Sequence, residues 1–194
     1  MSGPGVVLDA CVLVPIRLAT TLLWLAEGGL FDPLWSKEIL DEVERNLPKL
    51  GIQPDKASRR VGLMRDSFGS EALISDFGHL IDKMTCDAKD RHVLAAAVFG
   101  RADTIATFNV KDFPDESVEP HKIRVVSPDV LLVELLQARP TEVIGTLREE
   151  VMAFGHPPET LDEFLATLTP TVPLFASLAS DVAGDPNGHD GPTH

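Results

Sequence analysis

The sequence contains little cysteine and few aromatic residues. Its two cysteines, Cys11 and Cys86, form no CxxC pair, which argues against a thiolate metal site and favours a reduced, cytoplasmic compartment. Tyrosine is absent and aromatic residues make up only 6% of the chain, so the sequence shows no sign of bases stacking on aromatic side chains.

Long hydrophobic runs and an excess of positive charge are also missing. No uncharged apolar run reaches the roughly 18 residues of a membrane helix. The first apolar run, residues 6–14, contains Asp9 and follows no basic segment, so we expect neither a membrane span nor a signal peptide. The net charge of −13 argues against loose, non-specific binding of nucleic acid. One segment departs from this balance: residues 45–65 hold six Lys and Arg against the single Asp55, either as a solvated helix face or as a contact for a polyanion.

Short apolar segments alternate with helical patterns up to residue 138. The predicted strands are 6–14, 31–35, 103–108 and 123–127, and the predicted helices are 16–27, 37–47, 55–68, 71–83, a helix capped by Asp87 that runs to Gly100, and 129–138. This alternation predicts a three-layer α/β/α, Rossmann-like domain with a central parallel sheet.

The chain after residue 138 has a different character. Two or three helices with apolar residues at helical spacing follow Pro140, and residues 184–194 have almost no apolar side chains. We therefore predict a main domain over 1–138, a small C-terminal helical extension over 139–183, and a disordered tail over 184–194.

Four acidic residues are candidates for a functional site. Ligands of parallel α/β sheets collect at the carboxyl ends of the strands. Asp9 interrupts the first apolar strand, where an unpaired charge costs several kcal/mol, so it needs donors or a cation. Asp90 and Asp112 flank the strand 103–108, and Glu42 lies on the helix 37–47. Each of these three also has an ordinary interpretation: a helix cap, a turn cap and a solvated helix face, respectively.

A functional role for these acids is favoured over the ordinary interpretations if their side chains converge at one place. Convergence of Asp9, Glu42 and Asp90 would raise at least one pKa by like-charge repulsion, and a hard divalent cation would remove that penalty. Oxygen ligands without a His or Cys cluster favour Mg²⁺ or Mn²⁺ over zinc. Such a site suits phosphodiester hydrolysis, because the cation polarises a phosphoryl oxygen and activates water.

Four motifs in order resemble the PIN domain, the metal-dependent nuclease fold of VapC-type toxins, across roughly residues 5–138. They are LDACVLV with Asp9, SKEILDEVERNL with Glu42, DAKDRHVLAAA with Asp90, and TFNVKDF with Asn109 and Asp112. The resemblance implies a Mg²⁺-dependent endoribonuclease, the toxin of a VapBC-type toxin–antitoxin pair, which hydrolyses RNA with a metal-activated water. Mn²⁺ is a possible substitute for Mg²⁺.

The resemblance also assigns roles to residues. Asp9, Glu42 and Asp90 are the implied metal ligands, and Asp112 joins them in the catalytic set. Asn109 stands where many members carry a fourth acid, and it supplies a carbonyl oxygen but no charge.

Neighbouring residues receive more ordinary interpretations. We interpret Cys11 as a buried thiol bordering the pocket, on the same strand face as Asp9. Thr107 either orients Asp90 or a water, or is an ordinary strand residue, and we favour the second interpretation. His92 is expected on a different helix face from Asp90, without a role in the site.

Substrate and partners follow the same resemblance. Arg59, Arg60 and Arg65 are candidates to hold an RNA backbone. We expect a homodimer and a VapB-like antitoxin that blocks the pocket. The apolar faces of the C-terminal extension need a covering surface, which is the main domain, a second copy of the chain or the antitoxin.

Two other functions compete with the nuclease. A phosphatase with Asp9 as nucleophile is disfavoured because such enzymes of the haloacid-dehalogenase type carry a second Asp at the position of Cys11. A degenerate PIN module that binds RNA or a protein without cleaving is favoured by Asn109 and disfavoured by the three retained carboxylates.

Overall fold

The structure, a computed structural model, describes residues 3–154 and 159–184. Apart from Gly184, which ends the last helix, the predicted disordered tail 184–194 lies outside the described residues.

A single parallel sheet forms the centre of the fold. The side chains of its central strands are almost entirely buried, as in sheets covered on both faces, whereas the edge strands expose Leu73 and Arg124. The strands are β1 (Gly5–Leu8), β2 (Asp32–Ser36), β3 (Leu73–Ile74), β4 (Thr104–Ala106) and β5 (Arg124–Val126). Their order is β3-β2-β1-β4-β5, and every neighbouring pair is parallel.

Helices cover this sheet and continue beyond it. In chain order they are α1 (Ala10–Leu13), α2 (Ile16–Glu27), α3 (Lys37–Asn46), α4 (Pro54–Phe68), α5 (Gly78–Ile81), α6 (Arg91–Phe99), α7 (Asp115–Val118), α8 (Pro128–Ala138), α9 (Pro140–Ala153), α10 (Leu161–Leu168) and α11 (Pro173–Gly184). The predicted three-layer α/β/α fold with a helical C-terminal part is confirmed.

Local sequence signals explain several helix boundaries. The Ser36 hydroxyl accepts a hydrogen bond from the backbone N–H of Ile39 and caps α3. Ser127 caps α8 in the same way, with Pro128 at its first position. Helix α2 buries Leu18, Leu22 and other residues at helical spacing, so that one face packs inward.

Two predicted elements were wrong. The apolar run 6–14 is not one strand, because β1 ends at Leu8 and residues 10–13 turn into helix α1. The predicted helix 71–83 contains strand β3, which pairs with Trp35 and Ser36 of β2. Ala72 and Ile74 are buried while Leu73 between them is partly exposed, a strand period, and Asp76 adopts a left-handed φ of 64° that interrupts a helix.

The C-terminal helices pack on the main domain of the same chain. Helix α9 contacts α2, and α11 contacts α8 and α10. Phe164 and Phe175 are fully buried between these helices. Of the three covering surfaces considered from sequence, the main domain is therefore the one that α9 and α11 contact.

A buried carboxyl group lies in the contact between α2 and α9. Glu150 is only 1% exposed. The Thr21 hydroxyl donates to its Oε1 at 3.2 Å, whereas Oε2 finds no hydrogen-bond partner among the described residues. Burial raises the pKa of Glu150 to about 8; the charge of Glu159 adds to the shift, and Thr21 and Arg17 oppose it.

We predict that this contact weakens as pH rises. The folded pKa lies above the ordinary 4.5, so the stabilisation is complete below about pH 4.5 and is lost progressively up to about pH 8. Glu150→Gln removes the titration, and its stability relative to wild type should increase across this window by up to about 1.4 kcal/mol per pH unit. Urea unfolding at several pH values measures this difference. The exposed neighbour variant Glu149→Gln is the control, and parallel pH profiles for Glu150→Gln and wild type would refute the prediction.

Candidate active site

The candidate site lies where β1 and β4 end side by side. Leu8 pairs with Ala106 in the register of the two strands, and the backbone N–H of Asp9 donates to the Ala106 carbonyl at 3.1 Å. The chain leaves β1 toward β2 on one side, while β4 occupies the other side. This reversal of strand order is the usual ligand position in an open α/β sheet.

Asp9 is buried at this junction and held by side chains. It is 4% exposed, and the Thr107 hydroxyl donates to its Oδ2 at 2.6 Å. The Cys11 thiol donates to the same oxygen at 3.2 Å. The backbone N–H of Asn109 donates to the Thr107 Oγ1 at 3.0 Å, which fixes the hydroxyl. Asp9 thus receives the donors that its burial demands.

Cys11 acts here as a neutral thiol. Burial, followed by the charge of Asp9, raises the pKa of Cys11 to about 12, so the group stays protonated and able to donate. It also accepts from the backbone N–H of Phe108 at 3.3 Å. Cys11 does border Asp9, as predicted. The prediction that the two residues share a strand face was wrong, because Cys11 lies on α1.

Asp90 is the second buried acid of the site. It occupies the N-cap position of α6 without capping it by its side chain, and it is 7% exposed. Its Oδ2 has no hydrogen-bond partner among residues 3–154 and 159–184. Burial is the main cause that raises the pKa of Asp90 to about 6; the charges of Asp9 and Asp112 add to it, and Lys89 opposes it. The placement predicted from sequence, one turn inside a helix capped by Asp87, was wrong.

Asp87 and Asp112 join the two loops that carry the site. The backbone N–H of Asp87 donates to the Asp112 carbonyl at 3.0 Å, and the Asp87 side chain accepts from the backbone N–H of Lys89 at 3.1 Å. The Lys89 ammonium lies 2.8 Å from Asp112 Oδ2 and 3.8 Å from Asp90 Oδ2. The turn before α6 is thereby anchored on the loop after β4.

Glu42 is connected to this turn by the side chain of His92. Its Oε2 lies 4.0 Å from His92 Nε2, and His92 Nδ1 lies 2.9 Å from the Lys89 carbonyl, the geometry of a donated N–H. Both side chains line an open groove of about 630 Å³ between α3 and α6, which is otherwise lined by Glu38, Asp41, Glu44 and Arg45. His92, which the sequence placed outside the site, therefore borders it.

Asp9, Asp90 and Asp112 interact electrostatically but do not form a closed cage, and Glu42 contacts His92 instead. Within the described ranges, no group of three or more His, Cys, Asp or Glu side chains is arranged to hold a metal ion. Asp90 feels the charges of Asp9 and Asp112, and the ammonium of Lys89 lies between Asp90 and Asp112. The metal-ligand roles of Asp9, Glu42 and Asp90 therefore stay predictions.

The three candidate arginines of α4 have different environments. Arg60 is half-buried and donates to the carbonyls of Leu13 at 2.7 Å and Val14 at 3.3 Å, which closes the C-terminal end of α1. Arg59 and Arg65 are exposed. Of the three arginines, Arg59 and Arg65 are the ones whose side chains are accessible from solvent. An RNA contact by Arg59, Arg60 or Arg65 stays a prediction.

Three residues of the site are not predicted by the sequence. Thr107 was interpreted as an ordinary strand residue, yet it follows β4 and its hydroxyl holds Asp9. Lys89 and His92 flank Asp90 in the motif DAKDRH, and only the turn before α6 directs them at Asp112 and Glu42. The position of Thr107 near the end of the predicted strand 103–108 is the one signal that the sequence offers.

We predict that Thr107→Val lowers the free energy of unfolding by about 1–3 kcal/mol, because a buried carboxylate loses its shortest hydrogen bond. Thr107→Ser retains the hydroxyl and should be clearly more stable than the Val variant. Urea unfolding of the three proteins at pH 7 tests this. Equal stability of the Val variant and wild type would show that the bond does not hold Asp9.

Comparisons with known proteins agree with this geometry. The PIN domain family model matches residues 5–111, and that of the VapC50 C-terminal domain matches residues 128–181. The chain is 38% identical over 119 residues, 60% of this chain and 70% of the relative, to "Putative ribonuclease VapC50" of Mycobacterium tuberculosis (strain ATCC 25618 / H37Rv). No solved structure shows a significant match.

Among the helices of the described residues, none combines the length and the apolar character needed to cross a bilayer.

The PIN domain match covers strands β1 to β4 and all the candidate acids except Asp112, which follows it directly. The chain therefore belongs to the PIN domain family and, within it, to the VapC-type proteins.

Proposed function

We propose that the chain is a Mg²⁺-dependent endoribonuclease, the toxin of a VapBC-type toxin–antitoxin pair. The observation that carries this proposal is the pair of buried carboxylates at the sheet edge: Asp9, held by Thr107, and Asp90, whose Oδ2 is buried without a hydrogen bond. The likeness to VapC50 supports ribonuclease as the activity.

The residues at this edge fit a hard divalent cation. The orphaned Asp90 Oδ2 needs a positive partner, and Asp9, Asp90 and Asp112 offer carboxylate oxygens without a competing thiolate, since Cys11 stays protonated. We propose Asp9, Glu42 and Asp90 as ligands of Mg²⁺, or of Mn²⁺ in its place. When bound, the cation supplies polarisation of a phosphoryl oxygen and a more acidic water.

The chain's own groups prepare this site. Thr107 and Cys11 keep the Asp9 carboxylate in one orientation by donating to Oδ2, so no reorganisation of Asp9 is needed on binding. The backbone bond between Asp87 and Asp112 holds the Asp90 turn beside the loop after β4. We assign Asp112 to the catalytic set, and Asn109 offers only a neutral carbonyl as a fourth position.

The substrate path runs over α4 in this proposal. Arg59 and Arg65 are exposed on it, and the Ser58 hydroxyl of the same helix donates to Glu44, which lines the groove on α3. Helix α4 thus adjoins the acidic groove, and Arg59 and Arg65 would hold an RNA backbone beside the site. The remaining parts of the proposal are a cognate VapB-like antitoxin, a homodimer and a cytoplasmic location.

One observation favours a second function. Asn109 lacks the charge of a fourth acid, and no three acidic side chains within the described ranges already share a cation position. A PIN module that binds RNA or a protein without cleavage fits these facts. Cleavage measured with several divalent ions separates the two functions.

We predict Mg²⁺- or Mn²⁺-dependent cleavage of RNA by the purified chain, abolished by EDTA. Asp9→Asn and Asp90→Asn should each reduce the rate at least about 100-fold, since each removes a charged ligand. Gel analysis of a set of structured RNAs measures the rate.

The control is Asp181→Asn, an exposed acid on α11 of the C-terminal extension, which should cleave like wild type. Thermal unfolding must show that the site variants remain folded. Binding of RNA by wild type without cleavage under any divalent ion would establish the non-catalytic module instead.

We also predict that Arg59→Gln combined with Arg65→Gln weakens RNA binding and reduces the salt slope by about 0.7 per lost phosphate contact. The measurement is filter binding at several salt concentrations in the Asp9→Asn background, which prevents cleavage. Lys83→Gln combined with Lys122→Gln, which removes two exposed cations outside α4, is the matched control. Equal slopes for the α4 double variant and this control would exclude α4 as the RNA contact.

A further inference from the structure

The side chain of Lys89 lies beside two acids of the site, Asp90 and Asp112. Its Nζ lies 2.8 Å from Asp112 Oδ2 and 3.8 Å from Asp90 Oδ2, while the side chain is 62% exposed. The two carboxylates are 15% and 10% exposed, so Lys89 reaches inward from solvent to groups that are nearly buried.

The backbone around Lys89 directs this contact. The Lys89 N–H donates to the Asp87 side chain, and the Lys89 carbonyl is bonded to the ring of His92. With Asp87 fixed on the Asp112 carbonyl, the stem of Lys89 starts from an anchored turn. The ammonium is therefore aimed at Asp112 by the fold, although its four-carbon stem leaves it free to move away.

Asp90 and Asp112 cannot bind the Lys89 ammonium and a divalent cation equally well at the same time. Asp90 Oδ2, at 3.8 Å, is too far for a hydrogen bond to Lys89 and has no other partner among the described residues. A divalent cation bound by Asp9 and Asp90 would lie close to the ammonium, and their like charges would repel one another.

We propose that Lys89 is an internal competitor of the divalent cation, a residue that lowers metal affinity by neutralising Asp90 and Asp112 until the cation displaces it. This inference rests on the proposed metal dependence. Lys89 stabilises the acids in the metal-free protein, and its withdrawal frees Asp112 and returns a positive charge to the mouth of the site.

The test is calorimetric titration of the full chain with Mn²⁺ at low salt, without RNA. Lys89→Met should bind Mn²⁺ about 3- to 10-fold more tightly than wild type, a modest factor because the ion pairs are partly exposed. Lys89→Arg, which keeps the charge, should resemble wild type. Lys89→Gln is a second neutral variant, and thermal unfolding verifies that each protein is folded.

Lys111→Met is the matched control, because it removes the same charge from an exposed lysine next to Asp112 in sequence. An equal gain in Lys111→Met would reveal a general effect of net charge and overturn the specific role of Lys89. Unchanged or weaker binding in both neutral Lys89 variants would overturn it as well. If wild type and all variants fail to bind Mn²⁺ or Mg²⁺, the proposed metal dependence fails, and the inference fails with it.

Discussion

The parallel pairing of β1 with β4 is the constraint on which the site depends. It aligns Leu8 with Ala106, so that the next residues of both strands, Asp9 and Thr107, meet at one edge of the sheet. A hydrogen bond of 2.6 Å between them satisfies a carboxylate that is almost fully buried. A shift of one residue in this register would turn either side chain to the opposite face and leave the charge without its donor.

The second constraint is electrostatic. A protein of net charge −13 gathers several acids around one strand edge, and burial already disfavours the charged form of Asp90. The ammonium group of Lys89, which lies near both Asp90 and Asp112, limits this repulsion. Because an ammonium compensates one charge at best, the edge keeps an unmet need for positive charge. That need links the structure to the proposed cation chemistry.

The C-terminal helices extend the packed core rather than the site. Helices α9 and α11 bury their apolar faces against α2 and α8, and Phe164 and Phe175 fill the space between them. The same packing buries Glu150 away from water. The contact between α2 and α9 is therefore most stable when the Glu150 carboxyl group is neutral. The residues 155–158 between α9 and α10 lie outside the described ranges.

The sequence by itself determined the alternation of strands and helices, the Ser36 cap, the bounds of α2, and the acids of the family motifs, because periodicity and capping are local properties. Tertiary structure alone decided the rest. Leu73 and Ile74 form a strand because Trp35 and Ser36 offer an edge to pair with. The contacts of Thr107, Lys89 and Arg60 join residues 23 to 98 positions apart in sequence, and no local pattern encodes such long-range partners.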